Sequence, residues 1–84
     1  MPYIKNVFCG NILMSQQILI KFGDKVRKER LKRNLSQEEL AARAGVHRTY
    51  VGMIERAEKN VTLESIEKIA SALELNIYEL FKGF

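Results

Sequence analysis

In an 84-residue chain with one histidine, one cysteine and no tryptophan, few places can do chemistry. A Cys9–His47 nucleophile pair would have to join the N-terminal segment to the middle of the chain, and no carboxylate stands ready to orient the imidazole. The same two residues cannot supply a closed four-ligand zinc site, and no glycine-rich phosphate loop occurs. No catalytic residue, metal or cofactor is expected. Arg48, Thr49 and Tyr50 offer something else. Arg48 can donate bidentately to O6 and N7 of guanine, with phosphate contact or solvation as its alternatives. Thr49 carries a methyl suited to thymine and a hydroxyl for a base or phosphate. Tyr50 can meet a thymine methyl, reach a phosphate or pack partly into a core.

The elements that would position these residues can be read from their caps. Ser36 with Glu39 makes a capping box, with Leu35 and Leu40 as its hydrophobic staple. That helix ends at Gly45, where a left-handed residue costs little. A second follows almost at once, over Arg48–Arg56, with Tyr50, Val51 and Ile54 on its apolar side. Thr62 opens another, whose apolar residues Leu63, Ile66, Ile69, Ala70 and Leu73 recur at helical spacing. Asn76 opens a last short one, with Glu79 as its box partner. Upstream, Phe22, Val26 and Leu31 predict a helix to about Arg33, ended by Asn34. There are no alternating β-type runs, so the chain reads as all-α with five helices.

Composition agrees with a small domain: 46% hydrophobic and 29% charged residues are too apolar for disorder and too interrupted for a membrane span. No signal peptide is evident, and a lone cysteine makes no intramolecular disulfide, which points to a reduced, cytoplasmic protein. The net charge of +4 is unevenly spread. Residues 21–33 carry +5, residues 34–60 balance, and residues 61–84 carry −2. Such a dipolar layout presents one face to a polyanion. Ala41 falls where the first helix of the central pair must be crossed closely. Gly45 makes the turn, and Val46, Val51 and Ile54 wedge the second helix against the first. These features define a helix-turn-helix, an arrangement that binds DNA.

The stretch from Leu35 through Gly45 to Ile54-Glu55-Arg56 resembles the lambda-repressor/Cro-type, or XRE, helix-turn-helix family, over roughly residues 20–81. A narrower likeness, carried by His47–Arg56 and Asn60–Thr62, is to controller proteins of bacterial restriction–modification systems. The resemblance implies a lambda-repressor-like domain over residues 15–84 and a transcriptional regulator that controls its own operon. A repressor of a prophage or other operon, and an antitoxin whose N-terminal segment wraps a toxin, stay open beside it. Arg30 lies on the stripe of Phe22 and Val26, and Glu55 on the inner side of the recognition helix, so the two are expected to pair; the family has an Arg–Glu bridge at the matching positions.

The resemblance also implies a phosphate contact for Gln37, which would brace the recognition helix. Arg43, Lys59 and Asn60 are further backbone candidates, with plain solvation open for Arg43. Glu38 matches an acidic residue that touches RNA polymerase in a related phage repressor. His47 stands where Ser, Thr or Asp is the usual cap; an imidazole is expected to cap poorly, and no site role is given to it. Ile77, Tyr78, Phe81 and Phe84 offer more apolar surface than one short helix hides, which predicts a homodimer on a palindromic operator. Residues 1–14 form an extension without a readable motif: an ordered addition, a frayed end, or translation from upstream of Met14. Ser15 is a candidate cap for a lengthened first helix.

Overall fold

The computed structural model describes the backbone from Pro2 onward and side chains from Gln17 onward. Cys9, and with it the Cys9–His47 pairing, lies outside the described residues. Five helices follow in order: α1 (Pro2–Lys32), α2 (Gln37–Ala44), α3 (Arg48–Glu55), α4 (Leu63–Ala72) and α5 (Ile77–Phe81). No strand occurs among the described residues. The backbone of α1 passes through Ser15, which therefore does not mark its start. None of the described helices is long and apolar enough to cross a membrane.

Local chemistry sets most of the boundaries. Ser36 Oγ accepts from the Glu39 backbone N–H at 2.9 Å, and the Ser36 N–H donates to Glu39 Oε1 at 2.8 Å. The reciprocal pair satisfies two donors that a helix start leaves orphaned. Asn76 and Glu79 repeat the device at α5, and Thr62 Oγ1 accepts from the Ser65 N–H at α4. Helix α2 closes on Gly45 at φ 71°, with the Val46 N–H donating to the Ala41 carbonyl at 3.0 Å. Asn34 takes φ 55° after α1, a conformation asparagine tolerates better than most residues.

The core is shared by all five helices: Phe22 and Val26 of α1, Leu40 and Ala41 of α2, Val51 and Ile54 of α3, Ile69 of α4 with its C-cap Leu73, and Leu80 of α5. Burying one such side chain contributes about 1.5–3 kcal/mol. Gly23 permits the α1–α3 crossing, because a Cβ there would overlap the backbone carbonyl of Ile54.

Three apolar assignments need correction. Leu31 is 52% exposed: the buried stripe of α1 runs Phe22, Val26, Arg30, and Leu31 sits one residue, or about 100°, round the helix. Leu63 is 81% exposed, since it opens α4 in a first turn that overhangs the core. Phe81 is half-buried and stacks on Phe22 of its own chain, ring centroids 5.3 Å apart, so its own share of the surface counted towards an interface is partly covered.

Candidate nucleic-acid interface

Helices α2 and α3 are joined by only Gly45, Val46 and His47. The rear of α3 is fixed by Val51, Gly52 and Ile54, all buried. Its first turn points outward: Arg48 and Thr49 are exposed, and Tyr50 is half-buried against the core. The three residues assigned to base contact are thus brought together, with Tyr50 partly drawn inward. This exposed first turn is the part of a recognition helix that meets base edges in a major groove.

His47 corrects its expectation. It is the N-cap of α3, and its Nδ1 accepts from the Thr49 backbone N–H at 3.1 Å. An accepting Nδ1 does here what a serine or aspartate oxygen does elsewhere.

Beneath the outward turn lies a polar brace. Arg30 grips Glu55 bidentately, Nε to Oε2 at 2.7 Å and Nη2 to Oε1 at 3.0 Å, while Nη1 donates to the Leu35 carbonyl at 2.8 Å. The side chains are 10% and 4% exposed, and Glu55 holds Arg30 still more firmly in its charged form. Gln37 Nε2 donates to the same Glu55 Oε1 at 3.0 Å. One carboxylate of α3 therefore ties down α1 and the first residue of α2. Gln37 is half-buried and engaged on its amide nitrogen, leaving its carbonyl oxygen near the bare face of Gly52. The Arg56 guanidinium lies over that same glycine and pairs with Glu58 at 3.1 Å. In the sequence Arg56 was a helix end and part of the family motif, with no contact assigned to it; the glycine inside a short helix was the available signal that side chains cross there.

At the front edge, Arg48 Nη1 donates to Glu38 Oε2 at 3.2 Å. Both side chains are largely in water, 68% and 72% exposed. Such a pair is worth about 0–1 kcal/mol and opens readily. Arg43, Lys59 and Asn60 are exposed, Arg43 in the last turn of α2 and the other two in the segment joining α3 to α4.

The basic run of α1 is far less free than its composition suggests. Glu29 is buried, and Arg33 at 2.8 Å, Lys32 at 3.2 Å and Lys25 at 3.5 Å converge on it. The Arg33 hydrogen bond, against the opposing effect of burial and with help from Lys32 and Lys25, holds the Glu29 carboxyl below its ordinary range. Lys28 pairs with Asp24 at 3.0 Å. Of the run, only Lys21 and Arg27 make no ion pair among the described residues. Nor do three His, Cys, Asp or Glu side chains gather among those residues as a metal site would require.

Comparison with known proteins agrees with this geometry. Residues 26–80 match the helix-turn-helix family. Control protein C.BamHI of Bacillus amyloliquefaciens is 52% identical over 61 residues, covering 71% of this chain and 75% of that protein. Control protein C.SmaI of Serratia marcescens is 47% identical over 58 residues, 69% of each. The crystal structure of the restriction-modification controller protein C.AhdI from Aeromonas hydrophila superposes with a TM-score of 0.76 at 46% identity, over 77% of this chain and 98% of that one. With its five helices, its bracing ion pair and its outward-facing third helix, the chain belongs to the XRE-type helix-turn-helix family of transcription regulators.

Proposed function

We propose that the protein is the controller of a restriction–modification operon, binding a symmetric duplex operator as a homodimer through the first turn of α3. The observation that carries this reading is the rigidly backed, outward-facing Arg48-Thr49 turn, and the names of its relatives supply the biological setting. Arg48 reads a guanine, Thr49 and the exposed edge of Tyr50 contact neighbouring bases, and Arg43, Lys59 and Asn60 hold phosphates. Gln37 meets the backbone through its carbonyl-bearing end only by way of water or a rotated amide, since its nitrogen is engaged by Glu55. A phosphate is an acceptor and needs a donor. No reaction is assigned to the protein, which acts in the cytoplasm where its DNA lies.

One recognition helix covers a half-site, so a palindromic operator requires a two-fold partner. Ile77, Tyr78 and Phe84 are exposed on and beyond α5 and supply the apolar centre of that interface; Phe81 supports it from within through Phe22 and Phe84. Glu38, exposed at the start of α2, is the surface offered to RNA polymerase. Selection of tight-binding duplexes from a random pool tests the reading. The expected result is an inverted repeat with half-sites about one helical turn, 34–36 Å, apart. Recovery of no preferred sequence would refute it.

A further inference from the structure

We propose that Glu38 is a specificity-determining residue for DNA, a positioning residue that acts through Arg48; this rests on the DNA-binding reading above and explains how the same site favours a base over a phosphate. Glu38 has no part in capping α2, because Ser36 and Glu39 perform that task. Its carboxylate instead reaches across the turn to the opening residue of α3, ten positions away, and takes Arg48 Nη1. The pair borders an open recess of about 370 Å³ whose floor and walls include Ala41, Ala42, Val46 and His47.

The consequence follows from counting donors and charges. A guanidinium has five N–H groups, and Glu38 occupies Nη1 alone. Nε and Nη2 make no hydrogen bond among the described residues, and two donors suffice for O6 and N7 of a guanine. Arg48 can therefore read its base while tethered, with the tether limiting where the fork points. Phosphate contact differs, because it depends on net charge released rather than on donor geometry. An arginine that shares its charge with a carboxylate releases less counterion on meeting DNA, even where the pair is exposed and opens readily, and the carboxylate itself repels the backbone. The ion pair thus lowers the share of Arg48 in sequence-independent binding and leaves its base-directed donors intact.

The test compares the unmodified protein, Glu38→Gln, Arg48→Ala and the double variant on two probes at one fixed salt concentration. One probe is the tightest duplex selected from a random pool; the other is random-sequence duplex. Glutamine keeps the size of Glu38 and removes the charge that restrains Arg48. Glu38→Gln should bind random duplex tighter at 0.1 M salt, by up to about eightfold, with a log–log salt slope steeper by up to about 0.9, the limit set by release of one more counterion. The selected duplex should gain much less, so the ratio between probes narrows and the preference at one G·C position per half-site weakens. With Arg48→Ala in place, the same change should shift both probes by an equal factor. Equal gains on both probes with Arg48 present, or no gain on either, would overturn the proposal. Absence of any preference in the unmodified protein would instead remove the DNA-binding reading itself, before Glu38 is in question.

Discussion

Replacing Arg30 by methionine keeps most of the aliphatic stem that packs in α1 and deletes the guanidinium. The structure then strands the Glu55 carboxylate, 4% exposed, with the Gln37 amide as its one remaining hydrogen-bond donor, and leaves the Leu35 carbonyl without Nη1. Removing one partner from a buried, hydrogen-bonded ion pair costs about 3–5 kcal/mol, because the surviving charge stays out of water. Small domains hold only about 5–15 kcal/mol in total, so this is a large share. At ~4–8 °C per kcal/mol for a domain of this size, the melting temperature should fall by roughly 12–40 °C. Circular dichroism at 222 nm during thermal and urea denaturation measures it. The double variant Arg30→Met with Glu55→Gln removes the stranded charge and should recover part of the loss. A drop below about 1 kcal/mol for Arg30→Met, or no recovery in the double variant, would show that the pair behaves as an exposed one and that the brace is misassigned.

Other expectations follow from the same geometry. Arg48→Ala should weaken binding to a selected operator by about 1–3 kcal/mol and flatten preference at one G·C position per half-site; equal weakening on every sequence would make Arg48 a phosphate clamp. Gln37→Ala should lower thermal stability as well as DNA affinity, since it removes a bond to Glu55, and an unchanged melt would count against that bond. Tyr78→Asp, at a side chain 72% exposed in the free chain, should yield monomers in sedimentation while helicity persists, whereas Phe81→Asp should also cost stability through its stack on Phe22; a Tyr78→Asp dimer would exclude α5 from the interface. Glu29→Gln should destabilise at neutral pH. Because the folded-state pKa of Glu29 is depressed, the stability it contributes is present above the ordinary carboxylate value and lost as pH falls through the folded one. The gap between the two proteins should therefore be full above the ordinary carboxylate value and close as pH falls below it through the depressed folded-state value. A gap that widens in acid would reverse the assignment.

What was legible in the sequence was mostly what is decided locally. The boxes at Ser36 and Asn76 join residues three apart, and Gly45 needs only its own backbone freedom, so both survive without knowledge of the fold. The Arg30–Glu55 bridge was legible for another reason: two opposite charges on two inward stripes have nowhere else to go. Glu29 stands on the same stripe, three residues after Val26, yet was counted simply as one charge in a basic run. Its burial required asking which face of α1 meets the core. The Glu38–Arg48 pair was beyond reach, because it depends on how α2 and α3 cross and on the small residues at their junction. His47 was misjudged on frequency: an imidazole is an uncommon cap, but its Nδ1 is a competent acceptor.

The ion pairs also change how the charge of the chain should be understood. Counted from sequence, residues 21–33 are the electrostatic centre of the molecule, and α1 would seem to be what draws DNA in. In the fold, Glu29 collects Lys25, Lys32 and Arg33, Asp24 takes Lys28, and Glu55 buries Arg30. All but Arg30 pair with carboxylates of α1 itself, and Arg30 alone ties that helix to a neighbour. The exposed cations around the recognition helix are fewer, and the foremost of them, Arg48, is itself restrained by Glu38. A regulator needs discrimination between its operator and a vast excess of other DNA more than it needs raw attraction to phosphate, because competing sites scale with the genome. Neutralising basic residues with nearby carboxylates lowers the sequence-independent term directly. On the proposed reading, donor geometry at the exposed turn provides the difference, and the brace through Arg30, Glu55 and Gln37 would act there: a fork of hydrogen-bond donors discriminates only as well as its helix is held.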